Sequence, residues 1–108
     1  MDVEGFVSTF ASEGVTHDPV GTPPSAGHDA IRGFITHIFS AFETVGVTED
    51  AVFASGNSAA VKWTGKGIAK NGNHVTFEGI DVIDCNDEGK IVLVRALWDP
   101  APVFAALG

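Results

Sequence analysis

The chain has 108 residues, 14 of them acidic and 6 basic, for a formal net charge of -8. That length supports one core in one domain, residues 1–108, and no stretch is long and apolar enough for a membrane-spanning helix. The acidic balance repels nucleic-acid phosphates and anionic membrane surfaces alike, which leaves a neutral apolar small molecule or another protein chain as the expected partner.

The start MDVEG is acidic where a secretory leader would be basic, so the expected compartment is the cytoplasm. From Asp2 to Ala11 the apolar residues Val3, Phe6, Val7 and Phe10 fall on one helix face, with Asp2 and Glu4 at its positive end. This predicts a short amphipathic helix. Val15 to Val20 reads as a brief extended segment, because Pro19 excludes helical geometry at Asp18, and residues 21–27 (GTPPSAG) read as a rigid loop. From Asp29 onward Ile31, Phe34, Ile35, Ile38, Phe39 and Phe42 form one broad apolar stripe at helical spacing. Such a stripe calls for a flat partner, and the rest of the chain supplies a sheet.

Val45 to Ala54 predicts a strand ended by Ser55, Gly56 and Asn57. Ala59 to Ala69 alternates, with Val61 and Trp63 on one face and Lys62 and Lys66 on the other, before a hairpin turn at Asn71-Gly72. Two further strands, Val75 to Asn86 and Lys90 to Trp98, are joined by the turn at Asn86-Asp87-Glu88-Gly89 and complete an antiparallel meander. Asp99-Pro100 and Pro102 end the last strand, and Val103 to Gly108 is a small apolar tail. Two helices followed by consecutive strands predict an α+β fold, a curved antiparallel sheet with its helices packed on the concave face.

One position in that sheet breaks the pattern. Val75, Phe77, Gly79, Asp81, Ile83 and Cys85 share a strand face, and every member but Asp81 is apolar. A carboxylate there must find a charged partner, bind a metal or keep its proton, because an isolated buried anion is very costly. A one-residue bulge would instead turn Asp81 outward to solvent. On the last strand Val92, Val94, Ala96 and Trp98 share a face, while Arg95 lies on the other with Glu78 or Asp84 as its expected cross-strand partner. The single Cys85 reads as a buried, inert thiol, and the histidines at 17, 28, 37 and 74 show no metal-ligand spacing, so neither metal nor cofactor is expected. Glycines 65, 67, 72 and 79 sit in strands and a hairpin rather than in a phosphate loop, and are expected to permit curvature.

Residues 17–34, HDPVGTPPSAGHDAIRGF, resemble the segment of bacterial ketosteroid (3-oxosteroid) isomerases that carries their catalytic aspartate. GIDVI from Gly79, followed by GKIVLVRALW over residues 89–98, resembles the segment carrying their acidic hydrogen-bond donor. These isomerases belong to the nuclear transport factor 2-like, or SnoaL-like, superfamily of cystatin-like cones, in which curved sheet and helices enclose an apolar pocket. The resemblance implies that Asp18 is the general base and Asp81 a protonated acid facing the substrate oxygen. Trp98, Val61, Trp63, Phe77 and Phe34 are then expected in the substrate-binding wall. Read without the family, Asp18 before proline is an ordinary backbone-capping turn residue.

The implied activity is a steroid delta-isomerase-like shift of a double bond into conjugation with a ketone, by intramolecular proton transfer. The ligand would be small, hydrophobic and steroid-like, and the protein a homodimer. The alternative is a non-catalytic module that binds a small hydrophobic ligand in the same pocket. Epoxide hydrolysis, found elsewhere in the superfamily, ranks last, because an Arg between the carboxylates would be wanted and strand parity puts none on that face. In the family a further helix precedes the one at Asp2 and brings a tyrosine donor; the expectation here is an N-terminally short member, with Phe10 and Ile35 where relatives often have supporting tyrosines.

Overall fold

The computed structural model describes residues 1–108, with three helices and six strands in one sheet. Helix α1 spans Val3–Ser8, and the Asp2 carboxylate caps it by accepting a hydrogen bond from the Gly5 amide at 2.9 Å. It is shorter than its apolar spacing predicts. The Ile91 amide donates to Thr9 O at 2.9 Å, which draws the chain into the sheet, and strand β1 runs Phe10–His17. Val7 and Phe10 still share a core cluster, so the periodicity identified the buried residues and misjudged their backbone.

Strand β2 is the two-residue Ser25–Ala26, and helix α2 spans His28–Ser40. Its N-cap Gly27 has φ +85°, a conformation that favours glycine. Phe42, expected at the end of this helix, instead opens strand β3, Phe42–Ser55. Strands β4 (Ser58–Ala69), β5 (His74–Cys85) and β6 (Ile91–Trp98) follow, and the expected apolar tail is helix α3, Ala101–Leu107. The last carbonyls of α3 are not left to water: Asn71 and Asn73 each donate a side-chain N–H to Ala106 O at 3.0 Å.

The sheet order is β2-β1-β6-β5-β4-β3, and β3 to β6 form the expected antiparallel meander. β1 departs from it by joining β6 in parallel, with Thr16 beside Val94 and His17 beside Arg95. No local sequence feature announces a pairing between segments so far apart in the chain. The core gathers in two clusters, one around Val7, Phe10, Ile31, Val94 and Ala96, the other around Phe42, Val75 and Val103. Trp98 packs against both, and α2 contributes Ile31 to the first and Ile38 to the second. The helices therefore cover the sheet face that carries Trp63, Val75 and Ala96, while Phe53 on the other face is 76% exposed.

Arg95 does not pair with Glu78 or Asp84. Register sets it opposite Val82, Lys62 lies 3.3 Å from Glu78, and Asp84 accepts from the Ser58 hydroxyl.

Candidate functional site

Strand register brings the two sequence-predicted acids to one place. Asp81 on β5 faces Val61 on β4 and Ala96 on β6, so it lies on the helix-covered side and no bulge turns it out. Asp18 follows β1 directly, and one further step of the β1–β6 register sets it beside the same Ala96. The Val20 amide, donating to Ala96 O at 2.9 Å, holds that crossing. Between the two acids Ala96, 1% exposed, offers only a methyl group.

Each carboxyl is held by an indole. Trp98 Nε1–H donates to Asp18 Oδ1 at 2.6 Å, and Trp63 Nε1–H donates to Asp81 Oδ1 at 2.9 Å. The two indoles meet edge-on at 6.0 Å between ring centroids, and Phe77 touches both, at 5.8 Å from Trp63 and 5.6 Å from Trp98. This cluster rests on glycine. A Cβ at Gly79 would come within 2.6 Å of Trp98 Cβ and 2.7 Å of Trp63 Cζ2, and one at Gly65 would collide with the Phe77 ring. Of the glycines read from sequence as allowing curvature, Gly65, Gly67 and Gly79 make room for rings on the inner face, while Gly72 turns the hairpin at φ +87°.

The electrostatics follow from burial. Loss of solvent pushes the Asp18 carboxyl above its ordinary range, and the Trp98 hydrogen bond pulls part of the way back. Burial also pushes Asp81 up; Trp63 offsets part of that, and the negative charge of Asp18 adds to it. With Asp18 ionised, burial and repulsion both shift Asp81 toward its protonated form. The arrangement can therefore present a base and an acid to one ligand at the same time.

Of the expected wall, Val61 lies opposite Asp81, and Trp63, Phe77 and Trp98 form the ring cluster. Phe34 is half-buried on α2, one of the helices that cover this side of the sheet. Two surface cavities, about 260 and 540 Å³, are lined by neither aspartate. Sequence reading missed that the tryptophans act as donors as well as wall. Strand parity carries the signal, since Trp63, Asp81 and Trp98 share one face.

A conserved-domain model described as the SnoaL-like domain matches residues 1–94. The chain belongs to the SnoaL-like family, and its architecture is nuclear transport factor 2-like. Among solved structures it is similar to SalBIII, described as an epoxide hydrolase/cyclase-like enzyme in pyran ring formation in the polyether salinomycin. Identity is 26%, with a TM-score of 0.82 over 94% of this chain and 81% of that one. It shares its fold with TerC, co-crystallised with polyporic acid, at 16% identity, with a TM-score of 0.82 over 98% of this chain and 85% of TerC. It likewise shares it with an NTF2-like protein of unknown function from Burkholderia pseudomallei, at 22% identity, with a TM-score of 0.83 over 98% of this chain and 85% of that one.

Proposed function

We propose that this chain is an acid–base enzyme acting on an apolar, oxygen-bearing small molecule held between Asp18 and Asp81. The observation that carries the reading is the pair itself: two half-buried carboxyls, each held by an indole N–H and both pushed upward by burial, with the charge on Asp18 adding to the upward push on Asp81. In the isomerase reaction implied by the sequence, Asp18 takes a proton from the carbon next to a ketone and returns it further along the same face. Asp81 meanwhile donates a hydrogen bond to the enolate oxygen.

A second reading, epoxide opening, has its own support. Both indole N–H groups are engaged by the carboxyls, and Asp81 is the donor that this reading assigns to a developing oxyanion. An enolate is served better by two donors; an epoxide oxygen needs one proton. Asp81 would protonate that oxygen as the C–O bond breaks, while Asp18 takes the proton from an attacking hydroxyl of the same substrate. The likeness to an epoxide hydrolase/cyclase-like enzyme favours this reaction class. Arg32 is bound to Glu4 and Asp29, and Arg95 stands on the outer face, so hydrolysis by an arginine-assisted water keeps its low rank. Ring closure asks for no arginine.

The test supplies both substrate types. An unconjugated steroid ketone is followed by the ultraviolet band of its conjugated enone, and an epoxy-alcohol by chromatographic appearance of the isomeric cyclic ether. Conversion of either, reduced roughly a hundredfold to ten-thousandfold in Asp18→Asn, supports the proposal. Saturable quenching of tryptophan fluorescence by both compounds, with conversion no faster than in buffer, would leave a non-catalytic binding protein. For its protein partner the proposal keeps a second copy of this chain, set against the outer face where Ile80 and Leu97 stand exposed across β5 and β6.

A further inference from the structure

A carboxyl group has two oxygens, and an acid catalyst works only if its proton is on the one that meets the substrate. An indole N–H donates and never accepts. Because Trp63 donates to Asp81 Oδ1, that oxygen serves as acceptor, and in the neutral acid the carbonyl oxygen is much the stronger acceptor of the two. The proton then belongs on Oδ2. Building on the acid–base reading above, we propose that Trp63 is a positioning residue: its indole assigns the Asp81 proton to the oxygen it does not hold, and so selects the atom that delivers it. Trp98 makes the matching choice on Asp18, leaving Oδ2 there as the basic oxygen.

The indole of Trp63 is placed to do this before any ligand arrives. Trp63 is 7% exposed. Phe77 meets its ring nearly perpendicularly at 79°, Trp98 at 68°, and the bare Cα of Gly79 lies below its Cζ2 edge. Three neighbours on three sides fix the ring plane and thus the direction of the N–H. The charge that bears on Asp81 is that of Asp18. Glu49, opposite Trp63 on β3, is solvent-exposed; Lys62, Glu78 and Arg95 stand on the other face of the sheet; Glu4 and Arg32 of α1 and α2 are paired with each other; α3 carries no charged side chain. No cation competes with Trp63 for the Asp81 anion.

The experiment is a pH titration by NMR of protein labelled at Asp Cγ and Trp Nε1, in the wild type and in Trp63→Phe. In the wild type the Trp63 indole proton should shift through the same midpoint as Asp81 Cγ, since its bond strengthens as the carboxyl ionises. In Trp63→Phe, Asp81 should hold its proton roughly tenfold to a hundredfold more tightly, the worth of one hydrogen bond to a charged group, with a smaller change at Asp18. In turnover assays the variant should lower kcat more than it raises KM and move the alkaline limb of the pH profile upward. An indole signal that stays flat through the Asp81 transition overturns the proposal, and that wild-type readout needs no variant to fold. An Asp81 midpoint unchanged in a folded Trp63→Phe overturns it as well. Neither NMR readout uses a substrate, so absent turnover with intact coupling refutes the acid–base reading while the assignment to Trp63 stands.

Discussion

Two aspartates in the same sheet show how far environment, rather than residue type, sets chemistry. Asp50 on the outer face accepts from Lys62 Nζ at 2.9 Å and from the Thr64 hydroxyl at 2.6 Å, and these partners hold its carboxyl below the ordinary range. Asp81 on the inner face has one neutral donor and a buried setting, and its carboxyl is held above it. The residues responsible are consecutive: Lys62 points out and Trp63 points in, because side chains alternate along a strand. One carboxyl is a settled anion in a surface ion pair. The other is shifted toward its protonated form.

The comparison can be broken most severely at the floor of the inner site. Gly79→Ala puts a Cβ where Trp98, Trp63 and the Leu97 carbonyl already crowd within 2.8 Å, so both indole donors must move. The expected cost is about 1–3 kcal/mol of stability, read by urea denaturation, with loss of the coupling between Trp63 and Asp81. A variant as stable as the wild type, with both indole signals unmoved, would show that the floor is not tight.

A smaller effect sharpens the contrast in proton affinity. Asp18 and Asp81 have folded-state proton affinities above their unfolded ones, so their contribution to stability is complete below the unfolded carboxyl range. It is lost as pH rises from about 4 through the raised values. Asp81→Asn, which can still accept from Trp63, should therefore lose less stability between acid and neutral pH than the wild type does. Urea midpoints measured across that range give the two slopes; equal slopes would mean that Asp81 titrates like an exposed carboxylate. For Asp50, held down rather than up, the sign is reversed, and its contribution fades as pH falls.

The smallest effect belongs to the outer face. Lys62→Met removes a partly exposed ion pair with Asp50 and should lower the urea midpoint only slightly, and less again in high salt. It should leave the Asp81 titration in place. An Asp81 shift in this variant would mean that the two faces communicate through the strand.

By itself the sequence determined the α2 helix, the four-strand meander with its three glycine-bearing turns, and the placement of Asp81, Trp63 and Trp98 on one apolar face. These follow from periodicity and turn chemistry, which are written locally in the chain. It stopped short at the ends of elements: α1 ends after six residues, and the tail after Pro100 coils into α3, because the Ile91 amide at Thr9 and the two asparagines at Ala106 act from distant parts of the chain. Asp18 became a site residue only through resemblance, since its local signature is that of a turn. Tertiary structure alone decided that β1 runs parallel to β6, bringing Asp18 beside Ala96 and across from Asp81, and that each acid receives an indole N–H. Such pairings cost chain entropy whose return depends on the whole fold, so no window of sequence contains them.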